Sequence, residues 1–221
     1  MNWNNEIQVF NEDCMATMSR YPDNYFDLAV VDPPYGIGED GGSQRTRGSK
    51  NKNGAKKGWD KSPPNIQYFK ALFRVSKNQI IWGANHFADR VNVSSPGWII
   101  WDKMDYGSDF SDFEMAFTSF KRAAKSYRQT RQSNQGRPGN PRIHPTQKPA
   151  ALYQWIYKNY AKPGDKILDT HYGSGSNGIA LNKMNGLEQM NLTMVAAELD
   201  KDYYDAAKRR FDKATLQMSI F

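Results

Sequence analysis

With 221 residues, 38% of them hydrophobic and 13% aromatic, the chain can bury one sizeable core, and none of its apolar runs approaches the roughly 20 residues that span a bilayer. A single cysteine, Cys14, and three scattered histidines, His86, His144 and His171, argue against internal disulfides, thiolate metal sites and zinc catalysis, so no metal is expected. The net charge of +7 points weakly to an anionic partner, and MNWNNEIQVFNEDC lacks the basic-then-apolar pattern of a secretory signal, which makes a cytoplasmic location the expectation.

In chain order, β-rich runs fall at 7–10, 26–31, 79–83, 97–101, 113–120, 166–170 and 192–199, and helical patterns at 65–76, 149–161, 177–185 and 201–214. The strand runs are continuously apolar and do not alternate, as expected of strands covered by helices on both faces. These features predict one α/β domain over 1–221, a doubly wound and mostly parallel sheet interrupted by basic segments at about 39–64 and 104–143. The stretch 41–59 carries Arg45, Arg47 and four lysines among Gly, Ser and Asn. From Met115 to Gly164 there is no Asp or Glu, while Lys121, Arg122, Arg128, Arg131 and Arg137 all fall there. Such segments suit loops that order on a polyanion. Arg45, Arg47, Lys121, Arg122, Arg128, Arg131 and Arg137 are the candidate contacts to phosphates.

In doubly wound sheets ligands bind at the carboxyl ends of strands, and two ends stand out. ILDTHYGSGSNGIALN sets an apolar run before Gly173, Gly175 and Gly178, a literal GxGxxG that lets backbone approach a ligand and aims a helix N-terminus at it. About twenty residues on, Glu198 is placed to accept from ribose hydroxyls. Only about forty residues follow the loop, too few for the second half of a dinucleotide enzyme. Asp169, just before it, would repel a pyrophosphate but suits a cationic ligand. A ribose, an adenine and positive charge together describe S-adenosylmethionine better than a dinucleotide.

The other strand end is VVDPPYG. An exocyclic amino group on a nucleobase is a poor nucleophile because its lone pair is delocalised into the ring, and acceptors on its two N–H groups make it more tetrahedral. Asp32 supplies one acceptor and the Pro33 carbonyl, restricted by Pro34, the other. The carboxylate also stabilises the positive charge that arrives with the methyl group. Tyr35 offers a ring face to a base extruded from a duplex.

With these motifs the chain resembles the S-adenosylmethionine-dependent DNA amino-methyltransferases in which DPPY precedes the glycine loop, the beta group. EDC at 12–14, DPPYGIG at 32–38, IIWGANHF at 80–87, WIIWDK at 98–103, HPTQKP at 144–149, ILDTHYGSGS at 167–176 and ELDKDYY at 198–204 carry the resemblance. It implies a three-layer αβα Rossmann-like fold around a seven-stranded, mostly parallel sheet with one antiparallel strand. It further implies Asp13 near the cofactor adenine, Glu198 on its ribose, and Asp169, Gly173, Ser174, Gly175 and Ser176 around the methionine moiety. Asp32 borders the cofactor, and Thr146 and Lys148 belong to a segment that closes over it. Asp32, Pro33, Pro34 and Tyr35 form the catalytic set, double-stranded DNA is the partner, and a monomer or homodimer is expected. One departure is Thr170 and His171, where the family has Pro and Phe; a neutral, packed imidazole is the expected role of His171. Aspartate at position 32 favours adenine-N6 over the alternative target, cytosine-N4. More distant alternatives are an RNA or protein amide methyltransferase and a catalytically idle DNA-binding module.

Overall fold

The computed structural model describes residues 2–38, 58–91, 94–106, 111–130 and 143–216. Eight strands form one sheet: β1 (Ile7–Phe10), β2 (Phe26–Val31), β3 (Ser76–Trp82), β4 (Trp98–Asp102), β5 (Phe113–Thr118), β6 (Lys125–Arg128), β7 (Lys166–Asp169) and β8 (Thr193–Ala197), in spatial order β1-β8-β7-β2-β3-β5-β4-β6. Every neighbouring pair is parallel except those made by β5, which runs antiparallel to both β3 and β4. The helices are α1 (Cys14–Ser19), α2 (Ile66–Val75), α3 (Ala88–Val91), α4 (Ala150–Tyr160), α5 (Ser176–Glu188) and α6 (Lys201–Leu216). The architecture is the expected α/β methyltransferase-type sandwich. Its eighth strand, β6, is a polar KSYR edge whose residues are mostly exposed, and such a strand has no apolar run by which to recognise it.

Two cores explain why the strand runs are apolar throughout. In β2, Leu28 and Val30 pack into the layer that holds Leu152, Ile156 and Tyr157 of α4, Ile179 of α5 and Phe211 of α6. Ala29 and Val31 pack into the layer of Met18, Phe69, Leu72 and Val75 from α1 and α2. Alternate residues of a strand point to opposite faces, so a strand sandwiched between two helical layers has to be hydrophobic at every position. Asn65 caps α2 by accepting from the amides of Gln67 and Tyr68, and the chain passes straight from Val75 into β3.

Because β2 leads on to β3 on one side while its other neighbour, β7, leads on to β8 on the opposite side, the connections diverge at the carboxyl ends of β2 and β7. That divergence opens a crevice between Asp32 and Asp169. The antiparallel β5 has a further consequence: its first residues, not its last, lie at the same edge, with Glu114 paired to Trp101.

Candidate active site

A cavity of about 850 Å³ runs along this edge, from Glu12–Cys14 after β1 to Trp101 and Lys103 at the end of β4. Asp13, Asp32, Pro33, Pro34, Tyr35, Thr146, Lys148, Gly173, Ser174, Ser176 and Glu198 line it. Residues from five separate stretches of the chain are thereby brought together. Asp169 and Gly175 are not on the wall. The Asp169 side chain turns into the start of α5, where it accepts from Asn177 Nδ2 at 2.9 Å and from the His171 amide at 3.1 Å, and Asn177 is in turn bonded by the Tyr157 hydroxyl.

The glycine loop has the backbone its spacing implies. Gly173 and Gly175 take φ of +53° and +73°, a region that only glycine enters freely, and Gly175 caps α5. Glu198 braces the loop, one oxygen accepting from the Gly173 amide at 2.7 Å and the other from the Asp200 amide at 2.9 Å. A second brace went unforeseen. Arg210 reaches from α6 to donate to the Ser174 carbonyl at 2.7 Å and the Ser176 hydroxyl at 2.9 Å, and burial holds its pKa down to about 10. Its signal in the sequence was a cation between Ala207 and Phe211 on the buried stripe of the helix. Asp13 accepts from the Met15 amide and caps α1 while facing the cavity.

Burial pushes the Asp169 carboxyl up to about 7, against the two hydrogen bonds it accepts. A carboxyl whose folded-state pKa is raised holds its proton more tightly in the folded protein than in the unfolded chain. Its contribution to stability is therefore complete below about pH 4 and is lost as pH rises to about 7. Relative to Asp169→Asn, which mimics the neutral form, the wild type should lose thermal stability across that window; parallel melting curves from pH 4 to pH 8 would contradict the assignment. Burial also holds the His171 imidazole neutral, its pKa lowered to about 4. His171 Nδ1 lies 2.9 Å from Thr170 Oγ1, which is 2.6 Å from the Tyr68 hydroxyl. The Thr-His pair thus forms a packed hydrogen-bonded wall.

At the centre of the cavity stands Asp32. The Tyr35 hydroxyl donates to its Oδ1 at 2.7 Å, and Lys148 Nζ donates to its Oδ2 at 2.6 Å and to the Tyr35 hydroxyl at 3.1 Å. Lys148 also pairs with Glu114 at 3.1 Å, and Glu114 with Lys103 at 3.6 Å. The segment 144–148 lines the cavity, with Thr146 bonded to His144, and the Lys148 ammonium lies at the Asp32 end. Burial raises the Asp32 carboxyl above the ordinary aspartate range despite Lys148. For Lys148, burial is outweighed by Asp32 and Glu114, and its pKa stands above the ordinary lysine value.

The Tyr35 ring is seated by two residues of the IIWGANHF motif, Gly83 and His86, to which the sequence reading gave no site role. It stacks on His86, centroids 5.1 Å apart and planes 16° from parallel, and it lies over Gly83, where a Cβ would fall 2.1 Å from Tyr35 Cε1. Lys103 and Glu114 were also missed; their signal was a charge at the carboxyl-edge end of two apolar strand runs.

The basic residues divide. Arg128 ends β6 at the cavity edge, where its Nε donates to Asp102 at 2.9 Å and one terminal nitrogen to the Tyr106 hydroxyl at 3.2 Å. Lys121 and Arg122 lie in the turn from β5 to β6, at the opposite edge of the sheet, because β5 runs away from the cavity. Arg122 is stacked 3.5 Å from the centre of the Tyr160 ring and donates to the Asn159 carbonyl. Of the candidate phosphate contacts, Arg128 thus stands at the cavity edge of the sheet and Lys121 and Arg122 at the opposite one. Arg45, Arg47, Arg131 and Arg137 lie outside the described residues.

Residues 49–209 match the N6_N4_Mtase family, DNA methylase. The chain is 23% identical to the type II methyltransferase M2.MboI of Moraxella bovis over 95% of its own length and 89% of that protein's. Its fold resembles the crystal structure of the M1.HpyAVI–SAM complex (TM-score 0.59, 18% identity, 93% of this chain and 99% of that one). It also resembles the cytosine-N4-specific PvuII DNA methyltransferase (TM-score 0.60, 12% identity, 96% and 91%).

Proposed function

The chain belongs to the N6_N4_Mtase family of DNA methylases, and from that premise we propose that it transfers a methyl group from S-adenosylmethionine to the exocyclic amino group of adenine in double-stranded DNA. The observation that carries this reading is the Asp32 carboxylate, held by Tyr35 and Lys148 midway along one continuous cavity. One side of it is lined by Gly173, Ser174 and Glu198, the other by Trp101, Phe113 and Glu114.

The residues present fit the cofactor. A Cβ on Gly173 would meet nothing closer than 3.8 Å, so the missing side chain leaves open space at the wall. Glu198, immobilised by two backbone amides at the cavity wall, presents a carboxylate, the group that accepts from ribose hydroxyls. When bound, S-adenosylmethionine supplies an electrophilic methyl group on a sulfonium cation. The chain's own part is to bind the base and shape its amino group. Asp32 accepts one N–H, the Pro33 carbonyl the other, and both stand on the end of a strand buried on both faces, so the acceptors are in place before the methyl arrives. Tyr35 stacks against the base. Its spacing from His86 leaves no room for a third ring between them, so the base takes the other face or displaces His86.

On this reading 1–221 is a single catalytic domain and the basic segments at about 39–64 and 104–143 supply its contacts to DNA. A cytoplasmic modification enzyme, monomeric or homodimeric, accounts for these features. Cytosine-N4 is the second reading, favoured by the likeness in fold to the cytosine-N4-specific PvuII enzyme. DNA methylated by the purified protein, digested to nucleosides and analysed by mass spectrometry, should yield N6-methyladenine. N4-methylcytosine would transfer the assignment to the second reading, and neither product, with cofactor bound, would sink both.

A further inference from the structure

The chain Tyr35–Asp32–Lys148–Glu114–Lys103 places two ammonium groups and two carboxylates in one partly enclosed row beside the position of the reacting nitrogen. Lys148 is 1% exposed, and its three N–H groups are matched by three acceptors: Asp32, the Tyr35 hydroxyl and Glu114. An ammonium this close to Asp32 opposes the proposed reaction in two ways. It competes with the base for the carboxylate, as a charge-assisted donor stronger than a neutral N–H. It also repels the positive charge that the amino nitrogen gains with the methyl group and loses only when it releases a proton to solvent.

We propose that Glu114 is a positioning residue that makes Lys148 compatible with methyl transfer: it neutralises the ammonium and takes it over when the amino group of the base occupies Asp32. Lys103 sets the balance from the other side, so that two cations face two carboxylates and the row is neutral. Glu114 suits this part because β5 is antiparallel, which brings the start of that strand to the cavity edge. Burial, which disfavours its charge, is outweighed by Lys148 and Lys103, and its pKa lies below the ordinary glutamate value. The inference rests on the proposed amino-group transfer.

Single-turnover methyl transfer against pH tests it, with cofactor affinity measured in parallel. Besides Asp32, Tyr35, Glu114 and Lys103, the titratable groups that face this row are Tyr153 from α4, Tyr68 from α2, Asp169 from β7 and His86, stacked on Tyr35. Glu114→Gln leaves two cations against Asp32, and the rate should fall on the order of 10²-fold at neutral pH with cofactor affinity retained. Having lost a carboxylate partner, Lys148 gives up its proton more easily, so the variant should regain rate as pH rises into the alkaline range where the wild type stays flat. The double variant Glu114→Gln/Lys103→Met restores neutrality and should recover about tenfold or more of the loss. An unchanged rate and profile in Glu114→Gln, with the wild type active, would overturn the inference alone; a wild type that binds cofactor and methylates no base would overturn the proposed function. Should the single variant not fold, the double carries the test: a wild-type-like profile supports charge balance, and a folded double at roughly one-hundredth of the wild-type rate or less refutes it.

Discussion

Asp32→Ala should lower methyl transfer by about 10²–10³-fold, the range seen when one preorganised polar group is removed from beside developing charge, and leave cofactor affinity nearly intact. The loss follows from position. Asp32 is the only acidic side chain at the end of β2, and its two oxygens organise both the Tyr35 hydroxyl and the Lys148 ammonium. Without it the amino group lacks its charged acceptor, and Lys148 and Lys103 face the single carboxylate of Glu114, which leaves one excess positive charge beside the nitrogen. Binding is spared because the glycine loop is braced by Glu198 and Arg210 instead. Removing a carboxylate that raises the pKa of Asp169 even eases ionisation there. Asp32→Asn keeps the shape and an acceptor for Tyr35 but not the charge, and serves as the control for folding. Substantial turnover by both variants would overturn the role given to the carboxylate.

The second large effect is expected at Gly83. Its φ of +69° is a conformation that strains any side chain, and a Cβ there would fall 2.1, 2.4 and 2.5 Å from three atoms of the Tyr35 ring. The ring would have to move, breaking its hydrogen bond to Asp32 and its stack on His86 together. Overpacking of this kind costs roughly 1–3 kcal/mol, and a displacement of about 1 Å at the reacting centre is worth on the order of 10²-fold in rate. Gly83→Ala is therefore predicted to lower kcat about 10²-fold with a modest fall in Tm and little change in cofactor affinity. An alanine variant with wild-type kcat would show that the seat of Tyr35 is immaterial.

Much of this was legible in the residue pattern. Continuous apolar runs identified strands covered on both faces, and helix-period runs located four of the helices to within a few residues. The motifs at the ends of β2 and β7 were visible because the chemistry needs unusual residues there: a carboxylate with prolines at one, glycines at positive φ at the other. Where the signal was weak the reading failed for a physical reason. β6 is a polar edge strand, and Gly83 carries no side chain by which to announce that it makes room for a ring.

By itself the sequence determined the layered α/β fold, the two loops that meet at the crevice and the acceptor-plus-aromatic pair, since each follows from local periodicity or from backbone freedom within a few residues. Only the tertiary structure decided which charges face one another. Lys148 reaches Asp32 across 116 positions of chain, Glu114 enters the site because β5 runs antiparallel, and that same direction carries Lys121 and Arg122 to the far edge of the sheet. Strand order and direction are set by the packing of two helical layers on the whole sheet, a sum over many contacts distant in sequence, and no local stretch of residues encodes it.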